Sequence, residues 1–389
     1  MVEIRPSWVS SSQVSIPSNL RTWVQIDLAA FRHNLKAIRA RIDPTAGIIA
    51  VVKADAYGHG ITRVAPAIAD QVDLFAVANV LEANELAALG LGRDILLLGP
   101  CLPDERQAAV DAGYIVSVSS AEEAAAVAAL AGTRPCTLNL KVDTGMGRMG
   151  CWHEDAEEVV RQIVKLPNLG AFHVSTHLPA PDEDADFTRE ELEGFGRLAA
   201  QIKAIAPQAK FHALNSAGIF EFAGFAPDYV RAGLVLYGSC YPDIYQPQIQ
   251  PALSWKARLV LVRDVPPGRS VSYGRTFFTP HQMRIATVPV GYADGFPRQV
   301  SGHDTAVLVH GRRCLVLGRV TMDQILVDVT DVPEAQVGDE VVLIGRQGGE
   351  EILARELADK AGTISWHIFT GLKPRGSYFY YDSDTGSTV

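Results

Sequence analysis

Residues 50–60 read AVVKADAYGHG, a stretch that joins a strand-forming run to a lysine. The apolar run from Ile48 to Val52 predicts a strand buried on both faces, and residues 57–60 predict a turn into a helix. Folding alone gives no reason for an amine at this junction, because a buried strand gains nothing from ending in a charge. Lys53 is therefore the first candidate for a functional residue.

The pattern of strand, turn and helix recurs along the chain. Alternating strands and helices predict right-handed parallel crossovers, and eight repeats favour a closed (β/α)₈ TIM barrel over an open sheet. Helical stretches such as 81–89, 121–130 and 189–205 separate nearly all of the predicted strands. The eight strands are predicted at 47–52, 74–78, 95–98, 114–118, 137–142, 171–176, 211–214 and 229–236.

The pattern changes near residue 252, where strand-like runs follow one another with turns between them. These runs lie at 256–265, 283–290, 306–309, 314–317, 325–329 and 340–344, and only 351–361 predicts a helix. We therefore predict an α/β chain in three parts. A leader covers 1–20, a barrel covers 21–251, and a β-rich C-terminal domain covers 252–389.

Composition argues against several classes of protein. The formal net charge is -9, which disfavours a nucleic-acid partner because phosphate binding needs clustered Lys and Arg. The sequence has neither the apolar core of a signal peptide nor an apolar run of ~18 residues, so we expect a cytoplasmic protein without a membrane partner. The five cysteines show no C-x-x-C spacing, which argues against a structural metal or a disulfide framework.

Polar residues follow several of the predicted barrel strands. In a TIM barrel, reactive groups lie at the carboxyl ends of the strands. A single lysine or histidine in such a place is usually a solvated or core residue, but several on one rim favour a site. At or next to these ends lie Lys53, Lys141, Asp143, His177, Asn215 and Ser216, and Arg231 lies within strand eight.

The loops after strands seven and eight predict a phosphate site. They read Asn215-Ser216-Ala217-Gly218 and Gly233-Leu234, small or flexible residues whose backbone N–H groups can face an anion. The chain has no Walker loop and no G-x-G-x-x-G signal after a strand. A phosphate near a strand-end lysine then points to pyridoxal 5′-phosphate (PLP) bound covalently to Lys53.

Eight ordered motifs resemble those of one family, the alanine racemases. The motifs are AVVKADAYGHG (50–60), LKVDTGMGRMG (140–150), STHL (175–178), NSAG (215–218), RAGLVLYG (231–238), VSYGRTF (271–277), VGYADGFPR (290–298) and LGRVTMDQ (317–324). The resemblance runs from about Trp23 to Ala361. It implies a PLP enzyme, an isomerase with active sites shared across a homodimer, that interconverts L- and D-alanine and supplies D-alanine for peptidoglycan.

The resemblance also implies the catalytic roles. Lys53 and Tyr292 of the partner subunit would be two bases on opposite faces of the substrate, as inversion at the α-carbon requires. An unperturbed phenol has a pKa of about 10, so this base needs help at neutral pH. His177 and Arg231 are implied as that help, and Arg231 would also hydrogen-bond the pyridine nitrogen of the cofactor.

The remaining roles are implied in the same way. Arg148 would approach both the phenolic oxygen of the cofactor and the substrate carboxylate, and Lys141 is a lysine that relatives can carry in carbamylated form. Tyr273, Met322 and Asp323 would bind the substrate at the shared entrance. The residues assigned to the cofactor besides Lys53, Arg148, His177 and Arg231 are Tyr57, Asn215, Ser216, Gly233, Leu234 and Trp366.

Two departures from the family pattern bear on the substrate. Trp366 stands where many relatives have a tyrosine beside the phosphate, and residues 178–187 read LPAPDEDADF after His177. A serine-preferring or broader racemase is therefore the alternative to an alanine racemase.

Three other classes are weaker candidates. Other barrel-type PLP enzymes, such as decarboxylases, have no need for a second base. Non-catalytic PLP carriers consist of a single domain, which a further β-rich domain argues against. A metal-dependent aldolase would need clustered metal ligands near the C-terminus.

Overall fold

A computed structural model of the chain describes residues 16–225 and 228–388. Residues 1–15 of the predicted leader lie outside the described residues. The chain forms two compact units, Phe31–Gln250 and a second unit that combines the segment ending at Ala30 with the segment starting at Pro251. None of the helices described is both long and apolar enough to cross a membrane.

The first unit contains a closed barrel of eight parallel strands. Each strand pairs in parallel with its neighbours, and the pairing of Ile115–Val118 with Cys136–Asp143 closes the ring. The predicted (β/α)₈ TIM barrel is thereby confirmed. In order around the ring the strands are Gly47–Val51, Leu74–Val77, Asp94–Pro100, Ile115–Val118, Cys136–Asp143, Leu169–Ser175, Lys210–His212 and Tyr229–Ala232.

One helix precedes the first barrel strand and others connect the barrel strands, and local sequence signals start several of them. Side chains of Asn79, Ser120 and Asp184 accept hydrogen bonds from backbone N–H groups three residues later, as N-cap residues do. The helices are Leu28–Arg39, Ile61–Ile68, Val80–Ala87, Pro103–Asp111, Ala121–Ala131, Ala156–Ile163, Ala185–Ile205 and Ser216–Glu221.

The strand Cys136–Asp143 contributes polar side chains to the barrel interior. In the strand Cys136–Asp143, leucine and valine alternate with Asn139, Lys141 and Asp143, so the two sets point to opposite faces. Asn139 Nδ2 donates to Ser117 Oγ on the next strand at 2.8 Å. Lys141 also interacts with the charge of Arg231 on a strand that is not its neighbour, so the polar set faces the interior.

The eighth strand is shorter than the sequence predicted. It ends at Ala232 instead of residue 236, and Leu234–Tyr237 form a 3₁₀ turn. The apolar run continues past the strand because these four residues are buried, and burial requires apolar side chains in a turn as much as in a strand.

The second unit is mainly antiparallel β-structure. Its largest sheet contains Thr22–Asp27, Leu253–Arg258, Ala306–Val309, Arg312–Leu315, Glu340–Gln347, Glu350–Ile352, Ser377–Asp382 and Ser387–Thr388. Smaller sheets are formed by Leu261–Val265, Met283–Val288 and Ile325–Asp328, and by Ser270–Val271 with Phe277–Phe278.

Two sequence predictions need correction in this unit. The barrel was predicted to begin at residue 21, but Thr22–Asp27 pairs with Leu253–Arg258 and with Ser377–Asp382. The partners of this strand lie more than two hundred positions away in the chain, where local sequence patterns cannot indicate them. Besides the predicted helix, found at Ala354–Ala361, the structure has a second helix at Ser365–Gly371.

Candidate active site

Lys53 begins a turn with unusual backbone geometry. Ala54, Asp55, Ala56 and Tyr57 have φ angles of 51–53°, which form a left-handed turn directly after the first barrel strand. Local bonds hold it: Glu82 Oε1 accepts from Ala54 N at 2.9 Å, and Asp55 Oδ1 accepts from Ile61 N at 2.7 Å. Such strain persists where the surroundings over-determine the backbone, and it concentrates at functional sites.

This geometry gives a prediction for Ala54→Gly. A left-handed L-residue costs roughly 1–2 kcal/mol, and glycine relieves that cost while losing about 0.5–1 kcal/mol through the greater freedom of the unfolded chain. We expect the free energy of unfolding to change by less than ~1 kcal/mol. The control Ala125→Gly, at an exposed site inside the helix Ala121–Ala131, should lower it by about 1 kcal/mol. Denaturant unfolding measures both, and an equal loss at the two sites would contradict the left-handed turn.

Basic groups crowd the carboxyl end of the barrel. Burial and the charge of Arg148 lower the pKa of Lys53. Burial, with Arg231 and Arg148, holds the pKa of Lys141 well below its usual range, and burial followed by Arg231 lowers the pKa of His177 to about 2. Repulsion of this kind is relieved by a bound anion.

Arg231 is buried and holds two histidines in defined tautomers. Its Nη1 lies 2.8 Å from His212 Nδ1, and its Nη2 lies 3.3 Å from His177 Nδ1. Because a guanidinium only donates, both Nδ1 atoms are acceptors, and each neutral ring carries its proton on Nε2. Burial and Arg148 lower the pKa of Arg231 to about 10, so it stays charged at neutral pH.

The guanidinium of Arg231 has one donor left. Its Nη atoms also donate to the carbonyls of Thr176, His212 and Ala213 at 2.7–2.8 Å. Its Nε makes no hydrogen bond to any of the residues described. A ligand acceptor, such as a pyridine nitrogen, fits this remaining donor.

A small cradle lies beside Tyr57, on the turn that Lys53 begins. Ser216 Oγ accepts from Gly233 N at 3.2 Å and from Val235 N at 3.3 Å. A Cβ on Gly233 would come within 2.9 Å of Tyr57 Oη, so this cradle admits only glycine. Tyr57 is buried and stacks on Tyr237 with ring centroids 4.5 Å apart, which fixes its phenol here.

The residues of the barrel unit fit PLP. The hydroxyls of Tyr57 and Ser216 and the backbone at Gly233 suit its phosphate, and the unused Nε of Arg231 suits its ring nitrogen. Lys53 begins the turn that carries Tyr57, so one short segment would supply both an amine for the cofactor and a hydroxyl for its phosphate.

Arg148 lies at the end of a loop with its own anchor. Asp143 Oδ1 accepts from Gly145 N at 2.9 Å and from Gly147 N at 3.1 Å, which fixes the turn before Arg148. Arg148 itself is exposed, and it makes no hydrogen bond within the described part of the chain. Its guanidinium is therefore available to an acceptor such as a carboxylate.

The second unit brings together a separate group of the predicted residues. The N–H groups of Tyr292 and Ala293 donate to the carbonyls of Thr321 and Met322, both at 3.1 Å. A Cβ on Gly291 would come within 2.3 Å of these carbonyls, so only glycine allows the loops to meet. The Tyr273 turn joins them through Ser272 Oγ, which donates to Arg319 O at 2.5 Å.

An ion-pair network holds this group of loops. Asp294 is fully buried and accepts from Arg375 Nε and Nη2, both at 2.9 Å, while Arg375 Nη1 donates to Asp323 Oδ1 at 2.6 Å. The loops of Tyr292 and of Asp323 are thus joined through one arginine. Trp366 lies on the helix Ser365–Gly371, whose last carbonyl would be 2.5 Å from a Cβ on Gly295.

The predicted site residues are divided between the two units. Lys53, Tyr57, Lys141, Arg148, His177, Asn215, Ser216, Arg231, Gly233 and Leu234 belong to the barrel unit, and Tyr273, Tyr292, Met322, Asp323 and Trp366 belong to the second unit. Sequence reasoning missed His212, Glu82, Asp294 and Arg375. Of these four residues, only Asp294 had a local signal, since it lies two residues after Tyr292.

Comparison with known proteins gives a consistent result. Residues 26–241 match the family model of the alanine racemase N-terminal domain, and 252–380 match that of the C-terminal domain. The alanine racemase of Halothermothrix orenii is 39% identical over 91% of this chain and 95% of its own length. That of Symbiobacterium thermophilum is 41% identical over 92% and 97%. The solved structure of alanine racemase from Bacillus anthracis with bound L-Ala-P has a TM-score of 0.84 at 32% identity, covering 96% of this chain and 98% of that chain.

The fold and these relatives define a class of isomerases, the barrel-type amino-acid racemases. Both domain models match in order, and the identity extends over nine-tenths of the chain. The chain belongs to the alanine racemase family.

Proposed function

We propose that this chain interconverts L- and D-alanine by a two-base mechanism, with PLP as cofactor, in a cytoplasmic homodimer that supplies D-alanine for peptidoglycan. The observation that carries the proposal is the cluster of basic groups at the carboxyl end of the barrel, with a glycine-walled cradle beside it. PLP brings a phosphate and amino acids bring a carboxylate, so both ligands offer the anions that this cluster needs.

Each basic group has a task in the proposed mechanism. PLP, when bound, withdraws electrons from the α-carbon of the substrate and so acidifies its proton. Ser216 and Tyr57 bind the phosphate, with Asn215 and Leu234 in the same loops, and Arg148 binds the carboxylate. Lys53 takes or returns the proton on one face, aided by burial and by Arg148, which lower its pKa and raise the fraction of free amine.

A tyrosine of the second unit serves the opposite face. Tyr292 is the proposed base, supplied by the partner subunit. His177 supports this base. Because Arg231 donates to His177 Nδ1, the imidazole proton stays on Nε2, which can donate to a phenolate. Met322 and Asp323, on the loops that contact Tyr292, would meet the substrate, and Trp366 would supply an aromatic wall by the cofactor.

Backbone strain makes Tyr273 a second candidate for this base. The residues around it include Ser272 at φ +65° and Arg275 at φ +51°, and non-glycine residues in the left-handed region concentrate at functional sites. Its side chain is 70% exposed in the single chain, compared with 43% for Tyr292. Both phenols are thus available to a partner.

The exposed side chains around Tyr273 and Tyr292 support a dimer. Tyr273, Tyr292 and Met322 are all large side chains, and Met322 is 52% exposed. Clustered exposed side chains of this size usually mark an interaction surface. We propose that a second copy of this chain covers them and receives the tyrosine.

Lys141 has a proposed role as a carbamylated lysine. Burial and its cationic neighbours lower the pKa of Lys141 and so favour the neutral, nucleophilic amine over the ammonium form. A carbamate at this position would turn a repelling cation into an anion between Arg231 and Arg148.

The test is purification followed by two measurements. The protein should show the visible absorbance of lysine-bound PLP, and incubation with L-alanine in heavy water should give deuterated D-alanine. L-serine is the comparison substrate, because a pocket that separates methyl from hydroxymethyl does so by ~1–3 kcal/mol. A colourless protein, or deuterium uptake without inversion, would overturn the proposal, and faster turnover of serine would support the broader racemase instead.

A further inference from the structure

Glu191 is a buried carboxyl that the proposed mechanism does not use. It lies on the helix Ala185–Ile205 with 6% of its surface exposed. Its Oε1 accepts from Thr144 Oγ1 at 3.0 Å, and Thr144 Oγ1 lies 2.7 Å from Thr176 Oγ1. Its Oε2 is buried and has no hydrogen-bond partner among residues 16–225 and 228–388.

The loop that carries Arg148 rests on this carboxyl. A Cβ on Gly145 would come within 2.7 Å of Glu191 Oε1 and within 2.8 Å of the Phe187 ring, so the backbone there touches both side chains. Arg148 follows three residues later on the same loop. Any movement of the Glu191 carboxyl is therefore passed to the segment from Gly145 to Arg148.

The charge state of Glu191 decides how well the contact holds. Asp143, at the start of the loop, is the charged group that acts on it, while Thr144 and Thr176 are neutral and Phe187 is apolar. Burial, together with the charge of Asp143, raises the pKa of Glu191 to about 7, although the hydrogen bond from Thr144 acts in the opposite direction. An ionised carboxylate with an unpartnered oxygen is far more costly to bury than a neutral acid.

We propose that the neutral Glu191 carboxyl is a positioning group for the Arg148 loop, and that its ionisation loosens the loop and weakens binding of the substrate carboxylate. The substrate part of this inference rests on the proposed function. The loop part does not, because it concerns only contacts inside the barrel unit.

Hydrogen exchange tests the loop part. The N–H groups of Gly145 and Gly147 bond Asp143 Oδ1, so their protection reports whether the loop is closed. In the unaltered protein we expect protection to fall as the pH rises from about 4.5, the ordinary pKa of a glutamate, to about 7, and to level off above that, beyond the intrinsic change in exchange rate. Glu191→Gln keeps an oxygen that accepts from Thr144 but cannot ionise. In this variant the protection of the Gly145 and Gly147 N–H groups should stay constant over the same pH interval. The matched control Glu190→Gln, at the exposed neighbouring position, should behave like the unaltered protein.

Steady-state kinetics test the substrate part. With L-alanine, KM of the unaltered enzyme and of Glu190→Gln should rise about fivefold over the same pH interval, with a smaller change in kcat. KM of Glu191→Gln should stay near the low-pH value throughout. Equal pH dependence of KM and of Gly145 protection in all three proteins would overturn the inference. If all three proteins lack racemase activity but their hydrogen exchange differs as expected, the result counts against the proposed function and leaves the loop part standing.

Discussion

Replacing Lys53 with alanine is expected to abolish racemisation, with a loss of at least about a thousandfold in kcat/KM. The amine follows the first barrel strand at the start of the left-handed turn, next to Arg148, and burial has already lowered its pKa. The visible absorbance of the lysine-bound cofactor should disappear together with the activity.

Two comparisons separate this loss from misfolding. Lys165→Ala removes an exposed lysine at the end of a helix of the same unit and should keep full activity. Added methylamine should restore part of the turnover of Lys53→Ala, because a small amine can enter the space left by the side chain. Full activity in Lys53→Ala would remove the basis of the proposed mechanism.

Replacing the tyrosine base with phenylalanine is expected to restrict exchange of the α-proton to one enantiomer, which we call one-sided exchange. If Tyr292 acts on the face opposite Lys53, Tyr292→Phe should lower racemisation about a hundredfold to ten-thousandfold, the usual contribution of a positioned base. Lys53 would still exchange the α-proton of one enantiomer with solvent. Deuterium should therefore enter one enantiomer of alanine readily and the other very slowly.

Tyr273→Phe is the matched variant, because it removes the same hydroxyl from the other exposed phenol of the second unit. The variant that lacks the hydroxyl of the base should show the one-sided exchange. The other variant should show only a change in KM. One-sided exchange in Tyr273→Phe but not in Tyr292→Phe would transfer the role to the strained turn at 272–275. Symmetric loss in both variants would contradict a two-base mechanism.

Several parts of this site could be predicted from the sequence because their signals are local. The apolar run before Lys53, the alternation of strands and helices, and the small residues at 215–218 and 233–234 each occupy a few consecutive positions. Strand ends are equally local, so the rule for parallel barrels places Lys53, Lys141 and His177 on one rim from the sequence alone.

Other parts could not be predicted because they join distant positions. Asp294 and Arg375 are 81 residues apart, and Glu82 contacts Ala54 across 28 residues. Arg231 meets His212 from the next strand, and nothing in the local sequence marks that histidine as its partner. Glu191 occurs in an ordinary amphipathic helix, where an exposed face and a buried face both contain glutamates.

The sequence by itself determined the order of the elements, the change from barrel to β-structure near residue 252, and the residue types available for chemistry. Periodicity and strand ends are properties of neighbouring residues, so they can be recognised without knowledge of the fold. Tertiary structure alone decided that Thr22–Asp27 pairs with Leu253–Arg258, that the backbone after Lys53 turns left-handed, and that burial and the charge of Arg231 lower the pKa of Lys141. Strand partners, backbone strain and buried charges depend on contacts between residues far apart in the chain, which local patterns do not specify.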